Sequence, residues 1–402
     1  MQTQLPTIFV EDVDFNTLSP PSSPRSSISD FSRRSTTPHT DVDDVHEDKE
    51  KDIGETIALY GDSFATDWHE ERYKIWELPQ SYGSTQRCLV GYLVEGGYAF
   101  VWGTPACPKE KLVETLLAFI EWCRSQSLSP MLLCVNEATK DIILSKMHDW
   151  VVFTCVREEV LDPSKNISKE GGYESPSRNL RSVVRRAQRA GVKVQWFDEG
   201  CLPSADVVEE VNDGLAAWLK ARKGPQIASD SLDIWIDYKN RRYFVARDEQ
   251  TGRAVGVANL ARCRGGREYQ IKNFVSFPWA PKGTSELLVE EAITAVSKLP
   301  KLPPSSPSGD EEDEETTTAS TTVTFGGSAD DELRGVHNLS GWKFQWLSKV
   351  YQQIAKSFGL TKRHAFRSKW HAQDRPLYIA YPPEPGMSLG AARSLLRTLN
   401  RT

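Results

Sequence analysis

Three apolar runs between Tyr243 and Ser276 constrain this chain most. Tyr243–Ala246, Ala254–Ala261 and Tyr269–Ser276 are separated by Thr251-Gly252 and Gly265-Gly266. Short apolar runs broken by glycine turns predict an antiparallel three-stranded meander. What flanks it decides which fold it can belong to. Before it, Leu180–Ala190 reads as a helix, Val192–Phe197 as a strand and Ala205–Ala221 as a helix. After it come helix Ser285–Leu299, strand Thr322–Phe325, helix Trp342–Phe358 and a last strand near Leu377–Tyr381. Upstream, from about Ile53 to Val160, the pattern is β-β-α-β-α-β. Cys88–Leu93 and Tyr98–Trp102 form a hairpin across Glu95-Gly96-Gly97. Lys111–Arg124 spaces Leu112, Leu116, Ile120 and Cys123 as a helix does. Met131–Val135, Ala138–Lys146 and Trp150–Val156 complete that half.

A helical pair, a meander, a helix, a strand, a helix and a terminal strand is the element order of the acetyltransferase-like (GNAT) fold. The expected class is therefore α/β (α+β): tandem GNAT-like lobes with mixed sheets. The first lobe is expected over 53–165 and the second over 175–385, with a basic tail over 386–402. Residues 1–52 are rich in Ser, Thr, Pro and acids and lack apolar periodicity, so they read as a disordered tail. The stretch 303–322 reads as a disordered acidic insertion, which costs little because closure entropy grows only logarithmically with length.

The charge of this 402-residue chain misleads when taken whole. Its net value of −6 argues against nucleic acid or an anionic membrane as a partner. Residues 1–52 alone hold −6, and the six acids Asp310–Glu315 another −6, which leaves a body of +6. The seven cysteines form no C-x-x-C pair and suit reduced thiols in the cytosol. The start has neither a basic n-region nor an h-region. No stretch approaches the roughly 20 apolar residues of a membrane span. The expectation is a cytoplasmic chain whose membrane contact, if any, is peripheral. The seven histidines show no metal-ligand spacing, so no metal site is expected.

Three constellations carry chemistry, of which the third, Lys272–Thr284, joins a strand to a helix with a single glycine and gives a phosphate cradle little support. The first is Arg178–Lys193, with six basic residues and no acid. At about 100° per residue, Leu180, Val183, Val184, Ala187 and Gly191 share one side. Arg178, Arg181, Arg185 and Arg189 form a stripe opposite, with Arg186 at its edge. Guanidinium forks suit phosphate oxygens, so this helix is a candidate nucleic-acid clamp; a solvated helix face is the alternative. The second is Phe366-Arg367-Ser368-Lys369-Trp370, followed by Arg375-Pro376-Leu377-Tyr378-Ile379-Ala380-Tyr381-Pro382. On an extended segment Arg367 and Lys369 would share a side and could hold a phosphate or an ester carbonyl oxygen. A basic edge strand is the alternative. The tail Met387–Arg401 mixes leucines with Arg393, Arg397 and Arg401, as in a short basic amphipathic helix for a membrane surface or a frayed terminus. The only acetyl-CoA-type match, Arg253-x-x-Gly256-x-Ala258, lies in the meander with no helix after it.

The basic helix ending in R-A-G-V, the strand-to-helix A-P-K-G-T, the T-F-G strand end and the closing F-R-x-K-W…P-L-Y-I-A-Y-P resemble the C-terminal domain of bacterial phosphatidylglycerol lysyl- and alanyl-transferases. They resemble more closely its fungal relatives that aminoacylate ergosterol. The resemblance spans roughly Ile53 to Pro383. It implies two GNAT-like lobes and an aminoacyl-tRNA that donates to a lipid hydroxyl. The implied co-substrate is the charged tRNA itself, with no cofactor and no CoA. The freestanding ergosteryl-glycine branch implies glycyl-tRNA as donor and a sterol as acceptor. On this resemblance Arg178, Arg181, Arg185, Arg186 and Arg189 bind tRNA, while Lys369 and Arg367 are the catalytic cations. Lys272, Asn273, Thr324 and Gly326 line the channel between donor and acceptor. The bacterial D-L-M-R stretch that recognises a cationic amino acid falls near Lys272–Val275, where neither its acid nor its arginine is present. The rival readings are a CoA-dependent N-acetyltransferase and a non-catalytic module for RNA or lipid.

Overall fold

A computed structural model describes residues 53–79, 86–168, 172–221, 233–300, 302, 320–357, 366–384 and 386–399. The tail expected over 1–52 and the acidic run Asp310–Glu315 lie outside the described residues.

Eleven strands form one mixed sheet. They are β1 (Lys74–Glu77), β2 (Leu89–Glu95), β3 (Tyr98–Trp102), β4 (Ser129–Val135), β5 (Val151–Leu161), β6 (Val192–Phe197), β7 (Arg241–Asp248), β8 (Ala254–Cys263), β9 (Glu268–Ser276), β10 (Thr322–His337) and β11 (Gln373–Tyr381). The helices are α1 (53–60), α2 (Leu112–Ser125), α3 (Glu137–Lys146), α4 (Arg178–Arg189), α5 (Ala205–Ala221), α6 (Thr284–Ser297), α7 (Gly341–Ser357) and α8 (Leu389–Leu399). The strand order is β1-β2-β3-β4-β11-β5-β10-β9-β8-β7-β6. The mixed α/β class is as expected, and the meander is β7-β8-β9. The β2–β3 hairpin turns on Gly96 and Gly97, both at positive φ (58° and 82°), which is the backbone a two-residue hairpin loop demands.

Two features depart from the local pattern. First, β11, expected to close the second lobe, runs between β4 and β5 of the first. The two halves therefore share one sheet through β5, β10 and β11. Second, β10 does not stop at Phe325 but runs on to His337, sixteen residues in all from Thr322. Gly326-Gly327 and Asp330-Asp331 look like turn punctuation. Three register shifts against β5 absorb them instead, so the strand bends without ending.

Helices cover both faces. Over the first half, α2 and α3 pack Leu116, Phe119 and Ile143 with Trp150 on one face. On the other, α1, α7 and α8 bring Ile57, Leu347 and Ala391 against Phe100, Phe153 and Leu377. Over the second half, α4 and α6 bury Leu180, Val184 and Leu288 with Phe325 and Trp370. There α5 packs Val211 and Leu215 against Val245 and Val257 of the opposite face. Of the two readings of the basic tail, the helix is the one observed. Residues Leu389–Leu399 form a helix whose Ala391 and Leu396 are buried on the protein, and Arg72 Nη1 donates to Thr398 O at 2.6 Å. Its apolar side is taken by the first half of the sheet, because β2 and β3 offer it an apolar surface.

Candidate active site

A parallel pair of strands that parts company leaves a crevice beyond its carboxyl ends, where open α/β sheets bind ligands. β9 and β10 are such a pair. They are in register only over Glu268–Gln270 against Thr322–Thr324. Past that point β9 pairs with β8 alone and β10 with β5 alone, and a wedge opens. Both walls carry a bulge there. In β9, Asn273 pairs with Asn259 and Ile271 with Leu260, which leaves Lys272 as the extra residue. In β10, Thr324 faces Val160 and Gly327 faces Glu158, so Phe325 and Gly326 together oppose Glu159. Gly326 takes φ +72°. Bulges re-aim side chains, and these two aim polar groups into the sheet.

On the face shared with α1 and α7, a turn of the first half (residues 61–68) closes over the wedge. The Lys272 ammonium is tied to the Asp67 carboxylate and lies 3.0 Å from Thr66 Oγ1. That hydroxyl is 2.6 Å from Gln270 Oε1. Glu158 Oε1 accepts from Ser63 Oγ at 2.5 Å and from Thr324 Oγ1 at 2.9 Å. Glu158 Oε2 accepts from Arg375 Nη1 at 3.2 Å, and that nitrogen also lies 3.0 Å from Glu268 Oε2. Glu158 and Glu268 are each 1% exposed. Burial first, and the neighbouring Glu268 second, push the Glu158 carboxyl up to about 7. The turn itself is pinned by Asp62, which accepts from the backbone N–H groups of Phe64, Ala65 and Thr104. Burial raises the Asp62 carboxyl as well.

On the opposite face, Arg367 Nη1 donates to Glu159 Oε2 at 3.1 Å and to the carbonyls of Gly326 and Gly327 at 3.2 and 2.9 Å. Phe366 stacks on Phe274, with ring centroids 5.1 Å apart. The extended geometry expected for Phe366–Trp370 is corrected, since the segment is a helical turn. Arg367 and Trp370, three residues apart, both turn inward; Trp370 is fully buried. Phe366 and Lys369 share the other side, and Lys369 Nζ lies 5.1 Å over the Phe366 ring and 3.8 Å from Glu286 Oε1. The two cations thus part. Trp370 must enter the core and Arg367 must neutralise Glu159, which leaves Lys369 as the half-exposed ammonium beside the wedge.

The α4 helix starts at Ser177, whose Oγ accepts from Leu180 N at 3.1 Å. Arg178, Arg185, Arg186 and Arg189 are exposed, with no acidic partner among the described residues. Arg181 is drawn back to Ser175 O, Pro176 O and Glu174. The helix backs onto the start of α6: a Cβ on Gly283 would clash with Val183 O. Glu286, beside Lys369, belongs to the first turn of α6. Helix α4 and Lys369 therefore border the same helix start, while the arginine stripe of α4 lies on its opposite, exposed side. Arg253, just before β8, stacks over the Trp279 ring at 3.8 Å, and Gly256 of β8 packs against the first turn of α6, where a Cβ on it would meet Thr284 Cγ2 at 3.2 Å.

Of the expected site residues, Arg367, Thr324 and Gly326 meet at the β10 bulge. Lys272 and Thr324 enter the network on one face and Lys369 stands on the other. Asn273 is half-buried, and its N–H donates to Asn259. Sequence reasoning missed Ser63, Asp67, Glu158, Glu159 and Glu268. Glu158-Glu159 followed by Val160-Leu161 was the available signal: two acids inside a strand need distant cations.

A family model described as "phosphatidylglycerol lysyltransferase, C-terminal" matches residues 56–381. Among solved structures, the C-terminal domain of a putative lysylphosphatidylglycerol synthetase from Agrobacterium fabrum is similar at TM-score 0.63 and 13% identity, covering 88% of this chain and 95% of that one. L-PGS from Bacillus licheniformis is similar at TM-score 0.62 and 16% identity, covering 88% and 97%. A conserved protein of unknown function from Bacteroides thetaiotaomicron follows at TM-score 0.51 and 9% identity, covering 83% and 91%. At these identities the likeness is one of fold. No curated protein matches the sequence significantly. The family match runs through both halves of the sheet and every strand of the wedge, and the chain belongs to the family of phosphatidylglycerol lysyltransferase C-terminal domains, which are lipid aminoacyltransferases.

Proposed function

We propose that the protein transfers an aminoacyl group from a charged tRNA to a lipid hydroxyl, with glycyl-tRNA as donor and the ergosterol 3β-hydroxyl as acceptor. The observation that carries the reading is the family match combined with the exposed one-sign arginine face of α4, a helix that packs beside the same α6 start as Lys369. Exposed guanidinium groups without acids are an electrostatic footprint for phosphates. An aminoacyl ester is already activated, so exchange of one ester for another needs positioning and stabilisation of the developing oxyanion, without CoA. The Lys369 ammonium is the cation for that oxyanion. Arg367 serves by holding the Gly326 bulge, which makes it a positioning residue. The choice of amino acid draws support from the β9 bulge: Lys272 and its partner Asp67 neutralise one another, so among the described residues that bulge offers no unpaired carboxylate to a cationic side chain. That favours a small neutral amino acid.

The test is to incubate the protein with ergosterol, tRNA, glycine and glycyl-tRNA synthetase. The expected product is an alkali-labile lipid whose formation is abolished by RNase pretreatment. Product that survives RNase overturns the tRNA reading. Product with another amino acid and no glycine overturns the donor assignment alone.

A further inference from the structure

A lipid acceptor sits in a bilayer, and no helix among the described residues is long and apolar enough to cross one. The described residues of a chain that acts on such an acceptor would then meet the bilayer at its surface. The tail helix α8 is spent on the protein, as its buried Ala391 and Leu396 show.

The β10–α7 corner has the required chemistry. Trp342, in the first turn of α7, is 71% exposed, the highest value among the large apolar side chains described. Val336, at the end of β10, is exposed beside it in sequence. At about 100° per residue Trp342, Gln345, Lys349 and Gln352 fall on one stripe, and all four are exposed. The opposite side of α7 buries Leu347 and Val350 against the core, so the stripe is held rigidly outward. The sequence of α7 contains lysines, of which Lys343 and Lys349 are exposed, and no acid. On the adjoining part of β10, Asp330 is held by Arg157 and Arg334, while Asp331 and Glu332 are exposed upstream of the corner. An exposed indole flanked by one-sign ammonium groups is the composition that seats at a headgroup layer: the ring partitions into the interface and the lysines meet anionic headgroups.

We propose that the β10–α7 corner, through Trp342, Lys343 and Lys349, docks the protein on an anionic bilayer surface. The assignment rests on the lipid-acceptor reading. It also places the bilayer and the tRNA on opposite faces of the sheet. α7 covers the face that carries Leu377 and Glu158, and α4 covers the face of Trp370 and Glu159. Two large polyanions could then be engaged at once without competing.

The test is co-flotation of the full chain with phosphatidylcholine–ergosterol vesicles, with and without phosphatidylserine, scored apart from aminoacyl transfer. Wild type is expected to float with the phosphatidylserine vesicles and to be released by salt. Trp342→Ala is expected to weaken flotation about tenfold, the equivalent of one large side chain leaving an apolar phase. Lys343→Glu combined with Lys349→Glu is expected to weaken it about tenfold or more and to remove its salt dependence. Both variants should keep wild-type tRNA affinity, and Arg185→Ala with Arg189→Ala should keep wild-type flotation. Absence of wild-type flotation, or unchanged flotation in both α7 variants, overturns the proposal. So does a loss of tRNA binding in the α7 variants, which would make the corner an RNA surface. Flotation that behaves as expected while no lipid product forms leaves the docking surface standing and overturns only the enzymatic reading.

Discussion

Arg367 Nη1 lies 3.1 Å from Glu159 Oε2, and the same nitrogen reaches the carbonyls of Gly326 and Gly327. One guanidinium thus neutralises a buried acid and clamps the β10 bulge that walls the wedge. Removing it leaves Glu159 buried without this cation, which typically costs ~3–5 kcal/mol. Arg367→Ala is expected to lower the urea midpoint steeply. Pairing it with Glu159→Leu should recover much of that loss without restoring transfer activity. A single variant as stable as wild type would mean that the pair contributes nothing to the fold.

Lys369 should behave in the opposite way. Its contact with Glu286 is long, at 3.8 Å, and the side chain is half-exposed, so the pair is worth ~0–1 kcal/mol. Lys369→Ala is expected to keep the melting temperature and the tRNA affinity while transfer falls roughly a hundredfold, the scale of a lost oxyanion donor. Lys369→Arg should restore part of the rate. Single-turnover transfer from charged tRNA reads this directly.

Glu158 sets a pH dependence with a defined sign. Its folded-state carboxyl is raised from 4.5 to about 7, chiefly by burial, so the folded state holds a proton that the unfolded state has lost. Stability from this group is full below 4.5 and is lost as pH rises through about 7. Glu158→Gln keeps the neutral form at every pH. Urea titrations at stepped pH should show a wild-type decline across that window and a flatter curve for the variant. Equal slopes would remove Glu158 as the source.

The α4 face is tested by salt. Each phosphate contact contributes roughly 0.7–0.9 to the slope of log affinity against log salt, so losing two should flatten that slope by about 1.5. Arg185→Ala with Arg189→Ala is expected to weaken tRNA binding at low salt and to converge on wild type at high salt. Filter binding across a KCl series measures it, and an unchanged slope takes α4 out of the interface.

How much of this was legible in the sequence differs from strand to strand. The β2–β3 hairpin was readable because Glu95-Gly96-Gly97 is a turn on its own terms. The meander was readable for the same reason. β5 was cut short at Val156 because Arg157-Glu158-Glu159 breaks an apolar pattern. The strand runs on to Leu161 because Arg375 and Arg367, 217 and 208 positions further along the chain, supply the compensating charge. The same holds for Lys272, whose partner Asp67 is 205 positions away.

Periodicity and turn chemistry act over a few residues, so the sequence by itself determined most of the helices and strands, the mixed α/β class and the one-sign face of α4. Which charges are spent inside the protein and which remain for a ligand was decided only by the tertiary structure. Lys272 and Arg367 looked as available as Lys369 in the linear chain. A cation can leave water only where a distant acid meets it, and that meeting is created by the packing of the two halves of the sheet.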